Sequence, residues 1–334
     1  MNAIERYFGI NGQNTTIRTE ILAGITTFLT MAYIIFVNPN ILADAGMDRG
    51  AVFVATCLAA AVGCFIMGIY ARLPVALAPG MGLNAFFTYG VVLGMGYTWQ
   101  TALGAVFLSG CIFVFLSLFK IREWVITAIP SSLKQGIVAG IGAFLAFIAL
   151  KSSGIIVANE ATFVSLGDLQ QFSPMMAALG FFLIIGLVYR NIPGAVTIGI
   201  LAVSVIAVIT GNVAFEGVMS MPPAIAPTFL QLDIAGAFDV GMISVIFAFL
   251  FVDLFDTSGT LIGVTNKAGL VDKNGDIPNL DKALLADSTA TVAGSLLGTS
   301  STTSFVESTA GVAAGGRTGL MAVTVGVLFL LSIF

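Results

Sequence analysis

Residues 74–94 begin Pro74-Val75-Ala76-Leu77-Ala78-Pro79-Gly80-Met81-Gly82 before a helix-like stretch, Leu83 to Leu93, and residues 299–316 begin Thr299-Ser300-Ser301-Thr302-Thr303-Ser304 and end Gly315-Gly316. Each block lies among apolar runs, yet its prolines, glycines or hydroxyl residues break it up as a helix. How these two blocks are counted decides the topology. A spanning helix needs about 20 mostly apolar residues. The regular blocks are span 1 at about 20–37, span 2 at 51–70, span 4 at 100–119, span 5 at 133–150, span 6 at 173–189, span 7 at 194–210, span 8 at 239–259, span 9 at 283–297 and span 11 from about 318. If the irregular blocks each cross once, as spans 3 and 10, one side holds Arg6, Arg18, Arg72, Lys120, Arg122, Lys134, Arg190, Lys267, Lys273, Lys282 and Arg317. The other side then keeps only Arg49 and Lys151. That bias matches the excess of basic residues in short cytoplasmic loops, and it puts the N-terminus in the cytoplasm.

The composition points the same way. Of 334 residues, 58% are hydrophobic and 9% charged, where a soluble domain carries about 25% charged residues. A soluble enzyme, a disordered chain and a collagen-like repeat are all excluded. The net charge of −4 is scattered rather than gathered, so a nucleic-acid surface has no footprint. Cys57, Cys64 and Cys111 lie in apolar runs and read as small buried side chains, not as metal ligands or disulfides. Histidine is absent, so proton chemistry falls to carboxylates. The N-terminus, Met1 to Glu20, is polar, carries both signs of charge and lacks the pattern of a signal peptide, so the first apolar block is expected to stay in the mature protein.

The sequence also echoes itself. Thr101-Ala102-Leu103-Gly104-Ala105-Val106, ending Ser117-Leu118-Phe119, resembles Thr318-Gly319-Leu320-Met321-Ala322-Val323, ending Ser332-Ile333-Phe334. At a similar offset Ala45-Gly46 matches Ala268-Gly269, and Asn84 falls opposite Glu307. Spans 1 to 4 thus pair with spans 8 to 11, and a unit of seven spans makes the two copies inverted. Inverted repeats with interrupted helices at matching positions point to a secondary transporter and to its binding site. The expectation is an all-α polytopic membrane protein with a 7+7 inverted repeat. Residues 1–19 form its cytoplasmic N-terminus, 20–210 the first repeat, 211–238 a connecting loop and 239–334 four spans of the second repeat, whose other three are expected to be missing from this chain.

Charged groups within spans are costly and default to function: about 2.5–3.5 kcal/mol each at a helix centre. Asp253 and Asp256 stand three residues apart on one face of span 8, and Glu307 stands at the start of the half-helix of span 10. None has a basic residue in its own span, so each must meet a polar cavity, a helix end or a proton. Asp287, beside Ser288 and Thr289, reads as packing or support of a proton path. Unwound backbone at mid-depth must line an enclosed cavity. Gly80 and Gly82 let the chain approach a ligand closely, Asn84 adds a donor and an acceptor, and the Ser300–Ser304 run, with Thr303 in it, offers hydroxyl and backbone partners. A flat molecule rich in donors and acceptors suits such a lining.

At these residues the sequence resembles the nucleobase:cation symporter-2 superfamily, and within it the AzgA-like purine permeases. The likeness rests on Thr26-Thr27-Phe28-Leu29-Thr30-Met31-Ala32-Tyr33, on Ala78-Pro79-Gly80-Met81-Gly82-Leu83-Asn84-Ala85-Phe86-Phe87, on Phe255-Asp256-Thr257-Ser258-Gly259-Thr260-Leu261, and on Gly298-Thr299-Ser300-Ser301 with Glu307-Ser308 and Gly315-Gly316-Arg317. The resemblance implies core and gate domains, short strands in spans 3 and 10 that meet at the substrate, and proton-coupled import of a purine such as adenine, hypoxanthine or guanine across the inner or plasma membrane. By position it places the binding acids on Asp256 and Glu307 and the binding asparagine on Asn84, with the coupling proton on Glu307, Asp256 or Asp253. Phe86, Phe87 or Phe305 are candidates to stack on the base. No cofactor beyond the proton is expected. The expected partners are the base, the bilayer and a second copy of the chain. Competing readings are an anion carrier of the same fold, which Glu307 at a half-helix start would repel, a proton or ion channel, and an intramembrane aspartyl protease, which would need its aspartates on separate helices.

Overall fold

The computed structural model describes residues 3–13, 15–118, 131–190, 192, 194–214, 217, 219–272 and 277–334. Lys120, Arg122 and Lys273 of the charge count lie outside the described residues, as does the side chain of Lys134. Every block read as a span carries helix. Among the described residues five helices are long and apolar enough to cross a membrane: Ile17–Asp44, Arg49–Ala71, Trp99–Leu118, Phe172–Tyr189 and Val240–Lys267. The chain is a multi-pass helical membrane protein.

Several boundaries move from those expected, for local reasons. Span 1 is two helices, Ile17–Met31 and Ile34–Asp44. The second contains Pro39, which has no N–H to return to the preceding turn. Span 2, Arg49–Phe65, starts where the Asp48 side chain accepts the Ala51 N–H at 2.7 Å, and it widens into a π-helical turn, Ile66–Ala71. Span 8, Val240–Lys267, runs well past residue 259. Its hydroxyls fold back onto the helix, Ser258 donating to the Leu254 carbonyl at 2.5 Å and Thr265 to that of Leu261 at 2.6 Å, so the Thr257–Thr260 stretch does not end it.

Four short strands occur among the described residues: β1 Leu77–Pro79, β2 Ile156–Asn159, β3 Phe163–Leu166 and β4 Thr302–Ser304. β1 begins span 3, which continues as the helix Met81–Ala85 and a π-helical stretch, Phe86–Val92. β4 begins span 10, which continues as the helix Ser308–Ala313. The two strands pair antiparallel, Leu77 opposite Ser304 and Pro79 opposite Thr302. β2 and β3 form a separate antiparallel hairpin between spans 5 and 6, a correction to the all-α expectation. Its residues are mostly exposed, and no alternating apolar pattern announces it.

Packing divides the chain into two units, residues 1–134 with 221–334, and residues 135–220. The first holds spans 1 to 4 and 8 to 11. Its buried side chains include Cys57 and Cys64, both free, and the Cys64 Sγ contacts the backbone of Leu77 in β1. The second unit holds spans 6, Phe172–Tyr189, and 7, Ala195–Ile209, which pack on each other and carry exposed apolar residues such as Phe181 and Phe182. Spans 2 and 11 of the first unit meet through glycines, as small residues allow between membrane helices. A Cβ on Gly68 would lie 2.8 Å from the Val323 Cγ2 and 3.0 Å from its N, and one on Gly319 would lie 2.9 Å from the Arg72 Cα. Gly68→Leu is expected to cost about 1–3 kcal/mol by overpacking. Gly263→Ala, where nothing lies within 4 Å, should leave the melting temperature of the detergent-purified protein unchanged.

Candidate functional site

The paired strands organise the site. Ladder bonds continue beyond them: the Gly80 N–H donates to the Ser301 carbonyl and the Phe305 N–H to that of Ala76, each at 2.9 Å. The Ala76 N–H in turn donates to the Ser308 Oγ at 3.0 Å. Each strand then leads directly into a half-helix, so the starts of both half-helices lie beside the pairing. Gly80 is needed for the close approach, because a Cβ there would stand 2.9 Å from the Thr303 Oγ1.

Successive strand residues point to opposite faces, and β4 uses this to separate two sets of acids. On one face, the Thr303 hydroxyl donates to the Asp256 Oδ2 at 3.4 Å. Asp256 is exposed and close enough to Glu307 for the two charges to interact. Glu307 occupies the N-cap position of the span 10 half-helix and is half-buried. The Tyr33 hydroxyl donates to its Oε1 at 2.6 Å. On the other face, the Ser304 hydroxyl donates to the Asp287 Oδ1 at 2.9 Å. The Thr291 hydroxyl bonds both the Asp253 Oδ2, at 3.2 Å, and the Thr302 carbonyl, at 2.9 Å. Asp253 and Asp287 are buried. Three residues apart on one helix, Asp253 and Asp256 thus belong to different layers.

Asn84 is buried below this junction. Its Nδ2 donates to the Asn38 Oδ1 at 2.5 Å, and its Oδ1 accepts from the Ser300 hydroxyl. Asn38 donates onward to the Thr56 Oγ1 at 2.7 Å and the Thr299 Oγ1 at 2.8 Å. One network therefore ties spans 1, 2 and 3 to the strand-side start of span 10. Gly82 lies half-buried in the first turn of the span 3 half-helix. Of the aromatic candidates, Phe87 and Phe305 are buried, and Phe86 packs edge-on against Phe249 at 5.2 Å between centroids.

Sequence reading missed Asn38, although an Asn-Pro-Asn interruption inside an apolar block was a visible signal. It also missed Glu20, assigned there to the polar N-terminal side. Glu20 is buried, and its carboxylate accepts the Arg317 N–H at 2.8 Å and the Thr318 N–H at 3.2 Å at the start of span 11, Gly319–Leu331. Its partners lie almost 300 residues away, which no local pattern reveals.

Broken spans joined back to back over intramembrane acids define a membrane transporter rather than an enzyme. The chain belongs to the permease family, whose profile matches residues 18–334, and within it to the nucleobase:cation symporter-2 group. It is 51% identical to the adenine permease AdeP of Escherichia coli over 99% of this chain and 74% of that protein. It is 47% identical to the guanine/hypoxanthine permease PbuO of Bacillus subtilis over 98% of this chain and 77% of that one. Among solved structures, the transmembrane domain of a cyanobacterial bicarbonate transporter, BicA, shares the fold with a TM-score of 0.67 at 15% identity, over 95% of this chain and 82% of that one.

Removing Asn38 strands the groups it joins, and an unsatisfied buried partner costs about 1–3 kcal/mol. Asn38→Ala is therefore expected to lower the melting temperature of the purified protein even with no solute present.

Proposed function

We propose that the chain imports a purine nucleobase, adenine or guanine/hypoxanthine, in symport with protons, across the inner (plasma) membrane and with its N-terminus in the cytoplasm. The observation that carries this reading is the acid pair at the strand junction. Asp256 and Glu307, from different spans, stand beside Thr303 and the starts of two half-helices. A purine offers ring N–H donors, and two carboxylates are acceptors that can take them. The named functions of the similar permeases support a purine as the cargo.

In this reading Asp256 and Glu307 hold the base, Gly80 and Gly82 bring the backbone to its edge, and the Thr303 hydroxyl orients Asp256. Asn84 takes part through its second N–H and its remaining lone pair, the other two being used by Asn38 and Ser300. The coupling proton sits on Glu307, Asp256 or Asp253. Seven spans related to seven by inversion would let the strand junction serve both sides of the membrane, and the two broken spans at corresponding positions support that repeat. An anion carrier on the same fold is disfavoured, because a carboxylate at the start of the span 10 half-helix repels the anion that such a helix start would attract.

Uptake of labelled adenine, hypoxanthine, guanine and uracil by cells making the protein, with and without a protonophore, tests the proposal. A purine should accumulate, and the protonophore should abolish the accumulation. Absence of purine uptake, or uptake indifferent to the protonophore, would overturn it. Losing one charge-assisted hydrogen bond costs about 1.5–3 kcal/mol, so Asp256→Asn and Glu307→Gln should each reduce uptake about tenfold or more while the protein still reaches the membrane. Wild-type rates in both variants would remove the site assignment.

A further inference from the structure

Away from the strand junction, the first unit has a half-open cavity of about 180 Å³ whose lining includes Gln13, Arg72, Leu270, Asn279, Arg317 and Thr318. Four separate parts of the chain meet there: the N-terminal segment, the turn that ends span 2, the approach to span 9 and the turn into span 11. Among the described residues no lining residue is acidic. The donors are two guanidinium groups, two side-chain amides and a threonine.

Both arginines are held in place, and among the described residues neither is ion-paired with a carboxylate. The Arg317 Nη1 donates to the Val312 and Gly316 carbonyls at 2.6 Å each, which pins the guanidinium, and its Nε and Nη2 have no hydrogen-bond partner among the described residues. The Arg72 guanidinium lies over the Tyr7 ring at 4.5 Å from its centroid and has no carboxylate partner among the described residues. Asn279 is anchored to the same turn, its Nδ2 donating to the Ala71 carbonyl at 3.3 Å. Glu20, bonded to the backbone beside Arg317, has both carboxylate oxygens engaged by N–H groups and is not in the lining. All these basic residues belong to the side that the charge bias assigns to the cytoplasm, where anionic headgroups collect.

We propose that this cavity binds a phosphate group, gripped between Arg72 and Arg317 and completed by the Gln13 and Asn279 amides. Two guanidinium groups in one lining suit the oxygens of a phosphate, since each planar fork can give two parallel N–H···O bonds. Its source is either the headgroup of an anionic lipid of the cytoplasmic leaflet or free inorganic phosphate. Once bound, it links the N-terminal segment to the ends of spans 2 and 11 and stabilises the folded state by mass action.

The full chain, purified in detergent and stripped of lipid, is titrated separately with phosphatidylglycerol, phosphatidylcholine and inorganic phosphate, and binding is read by native mass spectrometry and by the melting temperature. Phosphatidylglycerol binding and stabilising while phosphatidylcholine and phosphate do not identifies a lipid headgroup; stabilisation by phosphate alone identifies the free ion. Arg72→Gln should weaken whichever binds by about tenfold, and Arg72→Lys should restore part of the loss. If Arg72→Gln does not fold, the salt dependence of binding to the unaltered chain decides, since a site of two arginines must weaken as salt rises. Failure of both phosphate sources to bind, or binding unaffected by Arg72→Gln or by salt, would overturn the proposal. None of these readouts depends on what the permease carries.

Discussion

A backbone group inside a membrane has no water to bond, and leaving one unsatisfied costs several kcal/mol. Spans 3 and 10 are extended for three residues each, and they meet that constraint by pairing with each other. Neither stretch could exist alone, because Leu77–Pro79 supplies the acceptors and donors that Thr302–Ser304 needs. Pro79, which has no N–H of its own, sits at the end of its strand, where the following Gly80 N–H continues the ladder to Ser301. Everything else in the first unit is arranged around this junction: the Asn84 network beneath it, the acids beside it and the half-helices that leave it.

Because the strands are so short, their alternation does what a larger element would do elsewhere. Thr303 reaches Asp256, while Ser304 and the Thr302 carbonyl face Asp287 and Thr291. One β-strand therefore contacts an accessible acid through Thr303 and a buried one through Ser304. Any shift of the strand by a residue would exchange the two sets. Fold alone does not choose a cargo; what distinguishes this site is which side chains sit on these few strand positions and at the first positions of the half-helices.

Helical spans were legible because apolar blocks of about 20 residues have few alternatives in lipid. The two irregular blocks were legible as interruptions because proline, glycine and hydroxyl residues break them up among apolar runs. Their pairing as strands came from family resemblance and not from any local pattern, since three residues are too few to show a period. The β2–β3 hairpin went unseen because its mostly exposed four-residue strands show no apolar alternation, and span 8 runs on past residue 259 because its hydroxyls bond back onto the helix.

The sequence by itself determined the solvent, the apolar helical blocks and the short list of acids within them, because each follows from the cost of a charge or an unpaired backbone group in lipid and is met locally. Only the tertiary structure decided which acids share a layer. Asp253 and Asp256 are neighbours on one helix, yet span 9 takes the first and β4 the second. Asn38, Asn84 and Ser300 form one network, and Glu20 closes on the start of span 11. Buried hydrogen-bonding groups must find partners wherever the fold brings them, and those partners are far apart in the chain, so only the packing of the spans could name them.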